Sequence, residues 1–411
     1  MRKIVVLFFM GMFTQACHSM NLLRPYDSLI RPMYTNDYRW QISLWGDTGV
    51  SDKAYNCNSC STNVLRIWNA DQNALAMLDG FPPDSEISKK EIEVDADDDG
   101  TRGHFLVCGD LKNRFSGMLA ARGFFRDTWS ISAYLPLYSM ALKNVCWVDQ
   151  TKNVSDEDER VHEFLTDDFF NNVKELGCGL ELCDWERTGI GDLTILLEWF
   201  RDFPQAKEML KNVRVNWRAG LSLPTGLRQD VDKLFALPFG NDGAFALPFG
   251  VGLDFDFVFH MRAGFDVQLT HIFGNTRHRR IKTSECQTDL LLLEKMEVYK
   301  DFGLTQQFNL YAQIYRVKGC SFLVGYQFLK HGKDAIALCP GADFSAVVAN
   351  SAEYLQEWTL HQIIVRADYE LGSLFQEPSV YPRFSFFAQM PFNGKRVAAT
   401  TNVGLTIALD F

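Results

Sequence analysis

Nowhere does the chain hold about eighteen apolar residues in a row, so no segment of it can cross a bilayer as a helix. Positive charge is also in short supply, with 41 Lys and Arg against 51 Asp and Glu and a net charge of -10. Without a basic surface, nucleic acid is excluded as a partner. The signatures of common enzymes are missing: there is no G-x-S-x-G, no H-E-x-x-H and no His-x-Ser pair on a strand. His104, His271 and His361 stand singly and read as structural or rim residues. The C-x-x-C at Cys57 and Cys60 has neither a second such pair nor a His pair to complete a zinc site. Asp95 to Gly100 opens like a calcium loop, but Leu106 stands at the twelfth position, where a bidentate Glu is needed. The chain therefore reads as a non-enzyme with no metal or cofactor.

What is abundant is phenylalanine, with 33 copies against 13 Pro, and a two-residue alternation. Among the last residues, Val397, Ala399, Thr401, Val403, Leu405, Ile407, Leu409 and Phe411 share one face of an extended chain. The opposite face is small and polar. The same alternation returns in about twelve stretches, spanning 38–46, 103–122, 128–142, 191–203, 212–224, 244–259, 261–274, 304–317, 319–329, 358–371, 381–392 and 395–411. The clearest sets Val213, Val215, Trp217, Ala219, Leu221 and Leu223 against Arg214, Asn216, Arg218, Gly220 and Ser222. A count of fourteen strands follows if 63–68 also pairs, while 69–78 reads as a short helix. Because only every second position is apolar, a mean hydropathy of -0.12 suits a membrane barrel.

Connection lengths point the same way. Long segments (47–102, 143–190, 225–243, 275–303, 330–357) alternate with short ones near residues 125, 207, 260, 318 and 375, and only the last hairpin, Asn393 to Lys395, is short where a long loop is due. Short turns on one side and long loops on the other predict an all-β antiparallel transmembrane β-barrel over residues 20–411, with both termini in the periplasm. Arg2 and Lys3 followed by the apolar run Ile4 to Phe13 read as an export signal within residues 1–19. Cleavage is expected between Ala16 and Met20, and cleavage at Cys17 would permit a lipid anchor. Export allows loop disulfides among the ten cysteines, or free thiols, with the pairing open.

The terminal strand with its final Phe411 resembles the last strand of Gram-negative outer-membrane barrels. That resemblance implies a lipid bilayer, recognition by the barrel-insertion machinery and residence in the bacterial outer membrane. Gly191-Asp192-Leu193-Thr194 and Ala219 to Gly226 resemble a strand pair of FadL-like and other outer-membrane transport barrels. That likeness implies transport of hydrophobic compounds past an N-terminal plug. Asn21 to Asp37 are too few for a plug of that kind.

The inner faces carry charge, and Arg214, Arg218, Asp254, Asp256, Asp266, Arg366 and Asp368 are candidate pore-lining residues. They favour passive permeation of small polar solutes or ions. The alternatives are FadL-like uptake of hydrophobic compounds and a closed structural or adhesive platform. Arg277 to Arg280 with Lys282 form a basic run able to hold lipopolysaccharide phosphates, or a solvated loop. Phe-Ala-Leu-Pro-Phe-Gly occurs twice, at Phe235 and at Phe245. The second copy opens a strand, and the first follows a stretch, 227–235, that suits a short helix. It either packs on the barrel rim or folds inward as a constriction.

Overall fold

The alternation seen in the sequence becomes twelve long antiparallel strands in the computed structural model, which describes residues 26–32, 38–90, 92, 102–125, 128–151, 168–317, 319–371 and 380–411. In chain order they are β1 (Trp40–Ser51), β2 (His104–Phe125), β3 (Trp129–Asp149), β4 (Leu193–Pro204), β5 (Leu210–Leu223) and β6 (Ala246–Phe257). They continue with β7 (Met261–Ile272), β8 (Thr305–Val317), β9 (Cys320–His331), β10 (Trp358–Glu370), β11 (Tyr381–Lys395) and β12 (Asn402–Asp410). Each pairs with its neighbours in the chain, and β1 pairs with both β2 and β12, which closes the ring. Closure leaves no open edge within the wall. The export signal and the Asp95 to Gly100 run lie outside the described residues.

The faces of the wall are inverted relative to a water-soluble barrel. On β1, Trp40, Ile42 and Leu44 point outward, Trp40 with 59% of its surface exposed, while Gln41 and Ser43 are buried inside. On β12, Val403, Leu405 and Ile407 are exposed while Asn402, Thr406, Ala408 and Asp410 are buried. A greasy exterior around a polar interior is stable only where lipid covers the outside. No described helix is long and apolar enough to cross a membrane.

One end of the barrel carries short turns and the junction of β1 with β12, where Arg39 N donates to Phe411 O at 2.8 Å. At the other end the long connections fold into a cap. Two short strands, Gln72–Asn73 and Trp185–Ile190, extend the sheet there beside β2 and β3. Two three-stranded sheets stand above the wall, one of Asn275–Arg280, Lys295–Asp301 and Ala335–Leu338, the other of Lys53–Tyr55, Ser61–Asn63 and Val397–Ala398. Helix α1 (Phe169–Leu176) packs Phe169 on Phe105, ring centroids 4.2 Å apart.

Three local expectations need correction. The terminal strand is shorter than its alternation suggests, because Arg396 takes a positive φ of 48° and Val397–Ala398 leave the wall to pair with Lys53–Tyr55. Val397 and Ala398, on opposite faces in the sequence pattern, are consequently both buried. Residues 227–235 form turns and an isolated bridge rather than a helix; of 63–68 only Asn63 pairs, as the end of Ser61–Asn63, and 64–78 hold 3-10 turns at Val64–Arg66 and Ala76–Leu78 around one two-residue strand.

Candidate functional site

A short turn occupies the middle of the lumen. Residues 26–32 fold back on themselves, with Leu29 N donating to Asp27 Oδ1 at 2.9 Å and Arg31 N to Asp27 O at 3.0 Å. Tyr26, Asp27, Leu29 and Ile30 are buried against the inner wall, and Tyr26 stacks on Tyr134 at 5.0 Å. Residues 26–32, ahead of β1, thus form a strap in the bore.

Buried charge holds this strap. Arg218, 1% exposed, donates to both carboxylate oxygens of Asp266 at 2.6 and 2.7 Å and through Nε to the Tyr26 hydroxyl at 2.9 Å. A Cβ at Gly250 would lie 2.7 Å from the Arg218 Cζ, so glycine there makes room for the guanidinium. Asp266 also accepts from Ser28 Oγ at 2.9 Å, and Gln327 donates to Asp27 at 3.1 Å. Arg31 reaches Glu198 at 2.7 Å, and Arg122 meets that carboxylate at 3.3 Å. Arg366 donates to the Leu29 carbonyl and, at 3.3 Å, to that of Arg31, while Asp368 holds its Nε at 2.8 Å. Charges at this depth must be paired, since leaving one unpartnered costs about 3–5 kcal/mol.

The other candidates lie nearer the turns. Arg214 pairs with Asp202 at 2.8 Å, Asp256 with Arg262 at 2.5 Å, and Asp254 accepts from the Tyr311 hydroxyl. All seven residues singled out from the sequence therefore lie on the inner face, in two groups. Arg218, Asp266, Arg366 and Asp368 join the strap network, and Arg214, Asp254 and Asp256 form the tier below. Around the strap the lumen keeps two voids, of about 80 Å³ on the loop side and about 110 Å³ on the turn side.

Above the lumen, inside the cap, lies a cavity of about 250 Å³. Its wall is largely apolar, with Trp68, Leu234, Leu237, Ile272, Phe302 and Trp358 among its residues. The first Phe-Ala-Leu-Pro-Phe-Gly copy supplies Leu237 and Pro238 to it and buries Phe239 against Tyr138 and Trp185. Gln268 and Gln307, on the inner face of the wall, belong to its lining, and Gln268 accepts from Arg218 at 3.3 Å. The chamber thus touches the network that holds the strap.

Polar groups in the chamber are mostly paired. Arg279 and Arg277 share Asp242, the first at 2.5 Å. Asp334 takes Lys300 at 2.7 Å and His331 at 2.8 Å. Burial raises the Asp334 carboxyl, but Lys300 and His331 more than offset it and bring it down to about 2. Asp289 differs: its Oδ1 accepts the Tyr354 N–H at 3.1 Å, its Oδ2 is buried without a partner among the described residues, and burial pushes its carboxyl up to about 6.

The basic run from Arg277 turns into the cap. Arg280 donates to the carbonyls of Val231, Leu293 and Gly177 at 2.8 to 2.9 Å, and Arg277 and Arg279 are held by Asp242. These guanidiniums tie cap segments together.

No family model and no curated protein matches the chain. Among solved structures, an outer membrane channel from Pseudomonas putida F1 superposes over 92% of this chain and 100% of its own, at 11% identity and a TM-score of 0.50. The fold is that of an outer-membrane barrel. The NanC porin (9% identity, 72% of this chain and 92% of that one, TM-score 0.30) and the Ralstonia pickettii toluene transporter TbuX (10% identity, 91% and 90%, TM-score 0.33) are more distant.

The strap was invisible to periodicity. Tyr26 to Pro32 have no alternation, and the one available signal was chemical: Asp27 and Arg31, of opposite sign, stand ahead of a barrel whose inner face needs both signs.

Proposed function

We propose that this barrel is an outer-membrane transport channel, closed at rest by the strap, that captures a small and mainly apolar compound in its cap chamber. The observation that carries the reading is the 250 Å³ chamber, apolar on its walls and bonded through Gln268 to the Arg218 that grips the strap. A wall whose surface is mostly apolar, with its polar side chains mostly paired to one another, suits a small organic ligand better than a hydrated ion. The long loops then face outward and both barrel termini face the periplasm. Once the strap moves, cargo passes between the charged tiers of the lower lumen, and Arg214, Arg218, Asp254, Asp256, Asp266, Arg366 and Asp368 line its path.

Passive permeation of polar solutes is the competing reading, and it requires the strap to leave the bore without a ligand. Tryptophan fluorescence separates the two, because Trp68 and Trp358 line the chamber. Saturable quenching by a naphthalene-sized apolar probe, absent in Trp68→Phe/Trp358→Phe, supports capture. Discrete single-channel conductance of the unmodified barrel with no probe response overturns it in favour of an open pore.

A further inference from the structure

Cys108 on β2 and Cys146 on β3 are direct partners in the antiparallel ladder. Such partners have Cα atoms about 4.5–5.5 Å apart, and a disulfide spans Cα separations of about 4.4–6.8 Å. Being register partners, the two side chains also leave the same face of the sheet. Cys146 is exposed and Cys108 half-buried, so both are reachable, and both are free thiols here. Arg66 Nη2 donates to Cys108 Sγ at 2.6 Å, which sets a cation against one of the two sulfurs. Eight of the nine described cysteines lie in the cap or at the loop ends of strands, Cys320 at the turn end being the exception.

We propose that Cys108 and Cys146 form a cross-strand disulfide when the folded barrel meets a disulfide oxidant. The Cys108 thiolate attacks one sulfur of the oxidant and displaces the other as a thiolate, leaving a mixed disulfide. The Cys146 thiolate then attacks the Cys108 sulfur, and the oxidant leaves fully reduced. The two cysteines lose two protons and two electrons, which the oxidant gains. The bond closes the ladder just beyond the irregularity between Cys108 and Asp110, where β2 and β3 leave the wall and carry Phe105 and Trp147 to the cap cluster. It braces one wall of the cap against splaying. That the bond exists in the cell rests on the proposed outer-membrane location; that the pair is competent to form it does not.

The test treats purified, folded full-length protein with oxidised glutathione, blocks remaining thiols with N-ethylmaleimide and maps peptides by mass spectrometry without reduction. The expected result is a peptide linking Cys108 to Cys146 that vanishes on reduction and in Cys146→Ser, with Cys108 of that variant recovered as the maleimide or glutathione adduct. Cys108 linked to any other cysteine, or both thiols recovered as maleimide adducts from a barrel whose heat-modifiable mobility shows it folded, would falsify the pairing. The same mapping on protein isolated from the outer-membrane fraction without added oxidant reads the cellular part. A linked pair supports it, and free thiols there with a linked pair after glutathione overturn the location-dependent part alone.

Discussion

The lumen and the cap chamber lie in contact yet solve opposite problems. In the lumen, charged side chains are buried and almost every one is answered by another, with the strap supplying Tyr26, Ser28, Arg31 and two carbonyls to complete the set. In the chamber most of the wall surface is apolar, and Asp289 keeps a carboxylate oxygen without a partner among the described residues. A satisfied network holds a shape, whereas an apolar cavity with spare polar atoms gains from being filled. Under the proposed function, closure falls to the lumen and capture to the chamber.

The largest effect should come from removing the closure. Deleting residues 26–32 is expected to convert a silent barrel into one with discrete conductance steps in planar bilayers. In that background Arg218→Glu should shift selectivity toward cations; conductance identical with and without the strap would break the comparison. Next in size is the network itself. Asp266→Ala leaves Arg218 buried without its main partner and should cost about 3–5 kcal/mol of barrel stability, seen as a lower temperature of the heat-induced gel shift. Arg218→Met with Asp266→Met should recover most of that loss, because a well-filled apolar pair replaces two charges.

How far the sequence carried depends on whether a residue's surroundings are local. All twelve wall strands were legible, since a strand between lipid and polar lumen alternates by itself, as Val213 to Leu223 does. Their ends were less so: Val397 and Ala398 continue the alternation of β12 but belong to a cap sheet, because pairing with Lys53–Tyr55 outcompetes the wall. The repeated hexapeptide makes the limit plain. Phe235 and Leu237 of the first copy are buried in the cap, while Phe245 and Leu247 of the second are exposed on the outer face. Identical residues meet different surroundings, and only the fold decides which. The inner-face charges could be named from alternation, but the strap that pairs with them is remote in sequence and lies in a stretch without period: Tyr26 is 192 residues from Arg218, and Ser28 is 238 from Asp266.

That pair of hexapeptides also offers a test of the chamber. Leu237→Ala removes apolar wall and should weaken binding of the naphthalene-sized probe roughly tenfold, about 1.4 kcal/mol. Leu247→Ala, on the lipid side, should leave binding unchanged. Equal losses from both would mean that the probe partitions into the detergent-covered exterior, and capture by the chamber would fail.

The most specific effect is a titration. Asp289 is held at about 6 by burial, against about 3.9 for an unfolded aspartate. Between those values the folded chain keeps a proton that the unfolded chain has lost, so stability falls as pH rises from about 4 to about 6. The sum over that window is roughly 2–3 kcal/mol. Asp334 has the opposite sign: lowered to about 2, it contributes stability above the unfolded value that is lost as pH falls from about 4 toward 2. The cap should therefore resist protease best near pH 4, with Asp334 responsible for the acid limb and Asp289 for the decline toward neutrality. Asp289→Asn keeps the shape without the titration, so it should flatten the decline between pH 4 and 6 while leaving the acid limb in place. A ligand that donates a hydrogen bond to Oδ2 should favour the charged carboxylate and shift the decline to lower pH; an unmoved profile with saturating ligand would place the capture site away from Asp289.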